Sequence, residues 1–199
     1  MNLSDELLDA LKEVINISLG QAAGTLNELL SNRIQLEVPQ IVFIPPAELG
    51  THINNRCVDT ISLVSLPFSG QFSGLSTLLF TSDSASKLVD MLLGEETPVD
   101  DIDAIKSGTL TEIGNILLNA VVGSIGNILH SRLTYSIPSY YVGNLGEILL
   151  PILRDDSAAL EITTRFTVQS RHITGEFLLL FEVGSFDFFV EALEAALYE

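Results

Sequence analysis

Ser107-Gly-Thr-Leu-Thr-Glu112-Ile-Gly-Asn115-Ile-Leu-Leu-Asn119-Ala-Val-Val-Gly-Ser-Ile-Gly-Asn-Ile-Leu-His-Ser131 is the stretch from which the fold can be read. Leu110, Leu117, Leu118, Val121, Ile125, Ile128 and Leu129 recur at the three-and-four spacing of an amphipathic helix. At 100° per residue, Glu112 and Asn115 fall away from that stripe and stand about one turn apart on one face. A stiff rod thus presents an acid and a carboxamide together.

The chain says this twice. A shift of 99 positions lays Glu13 on Glu112, Asn16 on Asn115 and Pro39 on Pro138. It also matches Leu11 with Leu110, Ile17 with Ile116, Leu19 with Leu118, Gly24 with Gly123, Leu30 with Leu129 and Arg33 with Arg132. Nine identities between positions 11 and 39 exceed the about two that ordinary residue usage supplies. Farther on, Gly74, Leu78, Leu79 and Phe80 fall on Gly175, Leu179, Leu180 and Phe181 at a shift of 101. A period near half the chain is too long for a solenoid and indicates two halves sharing one core.

The first half reads as a helix capped by Ser4 or Asp5 and running to about Ser31, with Leu8, Leu11, Ile15, Leu19, Ala22, Leu26 and Leu29 as its stripe. A strand over Arg33 to Phe43 follows, and Pro45-Pro46 ends it. Ala47 to Asn55 reads as a loop. Cys57 to Pro67 and Gln71 to Phe80 form a hairpin around Ser69-Gly70, and Ser82 or Asp83 caps a helix through Leu93. Glu95 to Asp103 is an acidic connector and the seam between the halves.

The second half repeats the order with a strand over Leu133 to Val142. Gly143 to Asp156, with the apolar run Ile148 to Leu153, reads as a covered loop. Strands over Ala158 to Ser170 and Ile173 to Val183 then lead to a terminal helix from Ser185 to Leu197. Two helix–three strands–helix units predict an α+β fold. Its antiparallel sheet has six strands, and two long helices pack on it about a pseudo-twofold axis. One domain over 1–199, built of repeats at about 1–99 and 100–199, is expected.

Composition narrows the function. The chain has 199 residues, 47% of them hydrophobic, enough for a sizeable core. A net charge of −17, with nine scattered Lys and Arg, argues against nucleic-acid or anionic-membrane binding. The longest apolar stretch, Phe177 to Phe181, is far too short to span a bilayer, so no membrane insertion is expected. The start has no basic segment followed by an apolar run, which gives no sign of a signal peptide. Cys57 is the only cysteine, reads as a buried structural thiol, and makes the cytoplasm the simplest compartment.

Most catalytic signatures are missing. His52, His130 and His172 stand alone, without zinc spacing, and His130 reads as a helix C-terminal cap. No phosphate-binding Gly-Lys-Ser/Thr loop and no Gly-x-Ser-x-Gly elbow occurs. Asp100, Asp101 and Asp103 read as a solvated linker, since a calcium loop needs further ligands and a turn glycine. No metal site or cofactor of its own is expected.

The Glu-x-x-Asn pairs remain. One such pair is ordinary on an exposed helix. Asn costs a helix roughly 0.5 to 0.7 kcal/mol relative to Ala, so its recurrence beside Glu in both halves favours function. A carboxamide is no general base at neutral pH, but it holds and aims a water. Phosphoryl transfer suits that contribution, because catalysis there is mostly placement and charge stabilisation. The substrate would then be a phosphorylated protein that brings its own metal and Lys.

Glu112-Ile-Gly-Asn115-Ile, its copy Glu13-Val-Ile-Asn16-Ile, and a Pro after 22 intervening residues in each half resemble the CheC family of chemotaxis phosphatases. The resemblance spans essentially the whole chain. It implies hydrolysis of the aspartyl phosphate of the response regulator CheY, in termination of the chemotaxis signal. Asn16 and Asn115 would orient the attacking water, while Glu13 and Glu112 would engage the regulator's Lys. The Mg²⁺ would be the regulator's own. A CheD-type deamidase is a further partner that the resemblance implies, and internal symmetry makes a monomer the expected state. Alternatives are a non-catalytic flagellar-switch or CheD-binding adaptor, and a phosphatase for a receiver domain outside chemotaxis.

The halves depart unequally from the family pattern. It places Asp or Ser four residues before the Glu. Asp9 satisfies this, but Gly108 stands there in the second half, with Ser107 one position early. The Gly before the Asn is Gly114 in one half and Ile15 in the other. One turn beyond the amide, Gly20 stands opposite Asn119. The two faces are therefore expected to be unequal.

Overall fold

Two adjacent strands mark the middle of the molecule, one from each half. In the computed structural model, β4 (Gly74–Thr81) pairs antiparallel with β8 (Arg171–Phe181). Gly74 lies opposite Phe181 and Phe80 opposite Gly175, with Thr77 and Leu178 between them. Those partners are the same residues that the 101-position shift superposes. The local twofold axis of the ladder and the axis of the duplication therefore coincide at Thr77 and Leu178. The Thr77 hydroxyl donates to the Leu178 carbonyl there at 3.2 Å.

The structure describes residues 4–30, 34–36, 40–55, 60–93, 102–153, 157–168, 171–182 and 184–197. The first half runs α1 (Asp5–Leu30), β1 (Ile34–Leu36), β2 (Gln40–Ile44), α2 (Pro46–Asn55), β3 (Ile61–Gly70), β4 and α3 (Ser82–Leu93). The second runs α4 (Ile102–Ile128), β5 (Leu133–Tyr135), β6 (Ser139–Gly143), α5 (Leu145–Leu149), β7 (Ala158–Val168), β8 and α6 (Ser185–Leu197). The α+β class and antiparallel sheet are as expected, with the same element order in both halves. Strand order is β1-β7-β8-β4-β3-β5, with β2 also on β7 and β6 also on β3. Each half lends its short strands to the other half's hairpin, so neither holds a complete sheet by itself.

Four expectations need correction. The turn between β3 and β4 lies at residues 71–73 and not around Ser69-Gly70, because Ser69 and Gly70 still pair with β5. The single strand over Leu133 to Val142 is two strands, because Pro138 lacks the N–H that a continuous ladder needs. Of its mate over Arg33 to Phe43, the described residues form β1 and β2, each paired with β7. The expected six strands are therefore eight among the described residues. Ala47 to Asn55 is no loop but part of α2. Pro46 suits a first helical position, where no N–H is needed, and Leu49 and Ile53 are buried one turn apart. Within Gly143 to Asp156, α5 forms because the Asn144 side chain accepts from the Gly146 amide at 2.9 Å. Cys57 and most of the acidic connector lie outside the described residues.

Alternation along the strands builds a core on each side of the sheet. Val64, Leu66, Leu78, Phe80, Phe177 and Leu179 face α1, α3, α4 and α6. Leu63, Leu79, Leu178 and Leu180 face α2 and α5, where Leu149 of the expected covered run is fully buried. On α1, Leu11, Val14, Ile15, Leu19 and Leu26 are buried, at about 1.5–3 kcal/mol each. That outweighs the roughly 1 kcal/mol that each of Gly20 and Gly24 costs the helix. Packing, not propensity, holds the two long helices.

Candidate functional site

The residues between each acid and amide are what expose the pair. In Glu-x-x-Asn the two outer residues centre on one side of a helix, and the two inner ones on the opposite side. Val14 and Ile15 are buried on α1, as are Ile113 and Gly114 on α4. Glu13, Asn16 and Glu112 are consequently exposed, and Asn115 is half-buried. All four expected residues sit on the outer faces of helices clamped from below.

The clamps differ. An added Cβ on Gly114 would lie 2.5 Å from Val64 Cγ1, so α4 rests directly on β3 at the residue next to Asn115. On α1 the matching residue is Ile15, fully buried, and a side chain fills the space that backbone takes on α4. The Asn119 Nδ2 donates to the Asn115 backbone carbonyl and to the Asn115 Oδ1, each at 2.8 Å. Gly20 offers no counterpart near Asn16, and the space around it is open.

Farther along the same stripe of α4, the Tyr135 hydroxyl lies over Gly123, where an added Cβ would stand 3.3 Å from it. Tyr135 is 39% exposed, and the partial burial that remains raises its pKa above the ordinary value. In the sequence Asn119 is visible only as a difference between the halves, and nothing marks Tyr135, whose place on the face depends on strand pairing. Tyr135 lies opposite Phe68, which faces the helices.

The histidines stand apart from these faces where they can be described. His52 pairs with Glu161 across α2 and β7, on the other side of the sheet. His130 ends α4 as expected, but through its backbone. It takes φ +51°, its N–H donates to Asn127 at 3.2 Å, and the Ser131 N–H donates to Gly126 at 2.7 Å. Asp9 pairs with Lys12 at 3.0 Å on the open surface, a contact worth at most about 1 kcal/mol. Among the described residues there is no group of three or more His, Cys, Asp or Glu placed to hold a metal ion, and no helix long and apolar enough to cross a membrane.

Chemically, each face offers one anion for a partner's cation and one carboxamide for a water. Comparison with known proteins gives that arrangement a context. The family model described as "Chemotaxis phosphatase CheX" matches residues 62–164, just over half of the chain, from β3 into β7 and including all of α4. The CheY-P phosphatase CheC of Bacillus subtilis (strain 168) is 24% identical over 204 residues, covering 98% of this chain and 97% of that protein. Among solved structures, Thermotoga maritima FliY has the same fold, with a TM-score of 0.77 at 18% identity, covering 98% of this chain and 100% of that one. CheX in the CheX-CheY-BeF3-Mg complex of Borrelia burgdorferi gives a TM-score of 0.53 at 20% identity, covering 84% of this chain and 97% of that one. The family match takes in Glu112 and Asn115 together with the strands beneath them. On that match and the shared fold, the chain belongs to the CheX/CheC-type family of chemotaxis phosphatases.

Proposed function

We propose that this chain hydrolyses the aspartyl phosphate of a CheY-type response regulator, using a water held by Asn16 on one face and by Asn115 on the other. The observation that carries this reading is the recurrence of one acid–amide pair at matching places, exposed on α1 and with Asn115 half-buried on α4, above buried residues that fix the helix backbone. Membership of the family supports phosphatase chemistry in general. The neighbouring CheX was solved together with CheY, which supports a regulator as the partner.

In this mechanism the Asn Oδ1 accepts a hydrogen from water and leaves the oxygen lone pairs turned to phosphorus. The water oxygen bonds to phosphorus as the bond to the aspartyl oxygen breaks, and the regulator's carboxylate leaves with that electron pair. The water proton passes to a phosphoryl oxygen, since the carboxamide cannot take it. Glu13 or Glu112 pairs with the regulator's Lys and sets the docking geometry. A hard divalent cation needs about six oxygen ligands. One carboxylate and one amide on a convex helix do not suffice, so Mg²⁺ belongs to the regulator in this reading.

The test is turnover. A few hundredths of an equivalent of the chain should speed phosphate release from an excess of phosphorylated receiver domain. Binding of the receiver without faster release would mark an adaptor instead. A panel of receiver domains in the same assay identifies the regulator, and adding a CheD-type deamidase tests the second partner implied by the family.

A further inference from the structure

Asn119 holds the key difference between the two faces. Its Nδ2 lies within hydrogen-bond distance of an oxygen that can only accept, the backbone carbonyl of Asn115. Asn119 must therefore turn its NH₂ toward α4's own backbone. The same NH₂ then meets the Asn115 side chain, which must answer with oxygen rather than with its own NH₂. An acceptor-only atom thus fixes the orientation of both carboxamides.

We propose that Asn119 is a positioning residue for the second face, and this rests on the hydrolytic role of Asn115 given above. The polarity of the held water is the reason. A water that donates to Oδ1 keeps its lone pairs for phosphorus, whereas one that accepts from Nδ2 has a lone pair tied up. Asn119 occupies one lone pair of the Asn115 Oδ1, leaves the other for the water, and excludes the flipped amide. Asn16 faces Gly20 and has no such brace.

The test isolates each face. In Asn16→Ala protein, only Asn115 works, and adding Asn119→Ala should lower kcat about tenfold with KM held within twofold. In Asn115→Ala protein, where Asn119 has nothing to position, the same change should have no further effect. By NMR, the Asn115 side-chain NH₂ signals should shift and exchange faster once Asn119 is removed. Unchanged kcat in the Asn16→Ala background overturns the proposal. An equal loss in both backgrounds also overturns it, because it marks a merely structural role. Full activity in Asn16→Ala/Asn115→Ala protein instead overturns the hydrolytic reading itself, and the three results are distinct.

Discussion

Gly114→Ala puts the docking of α4 on the sheet to a direct test. The new methyl would lie 2.5, 2.6 and 2.8 Å from Val64 Cγ1, Cβ and Cγ2, and Val64 is fully buried on β3. Carbon atoms pack at about 3.5–4.0 Å, so the helix must lift by about 1–1.5 Å. Overpacking of this kind costs about 1–3 kcal/mol, and the better helix propensity of Ala returns up to about 1. The net expectation is a loss of about 1–2 kcal/mol, or roughly 2–8 °C in Tm for a chain of this size. Asn115 is the next residue, so the same lift displaces its carboxamide by about 1 Å. A misplacement of that size costs up to about a hundredfold in kcat. Gly108→Ala is the control, since its added Cβ meets nothing within 4 Å. Urea unfolding followed by circular dichroism, alongside phosphate release, measures both effects. Equal or greater stability of Gly114→Ala than Gly108→Ala would refute the close approach of α4 to β3.

Other expectations follow from single contacts. Asn144→Ala removes the side-chain acceptor at the start of α5 and should cost about 0.5–2 kcal/mol in urea unfolding. Burial raises the Tyr135 pKa in the folded state, so above about pH 10 the unfolded chain gives up a proton that the folded one keeps. Stability contributed by this group is complete below pH 10 and is lost as pH rises through the folded pKa. Tyr135→Phe should flatten that alkaline loss in pH-dependent unfolding.

Much of this architecture was legible because repetition substitutes for comparison. The match of Glu13 and Asn16 with Glu112 and Asn115 located the long helices, their outer faces and the division of the chain. The 101-position shift even contained the central ladder, though only pairing of β4 with β8 reveals that Thr77 and Leu178 lie on the axis. Short elements were harder. Pro45-Pro46 signals the end of a strand, yet Pro46 also opens α2, and a five-residue helix such as α5 is too brief for periodicity to register. Pro138 stands out in the sequence by its spacing, and its effect on the ladder shows only in the separation of β5 from β6. The acid–amide pairs were visible because their exposure depends on local helix geometry. The Asn119 brace and the Tyr135 hydroxyl depend on rotamers and strand partners, which spacing does not encode.

The central claim is that the two carboxamides aim the water. Its most direct measurement is loss of phosphate from a phosphorylated receiver domain, with wild-type protein and with Asn16→Ala/Asn115→Ala at matched, saturating concentration. The account predicts a fall of about a hundredfold or more, to the receiver's unassisted rate, while the double variant still binds the receiver. A double variant that releases phosphate as fast as wild type would contradict it.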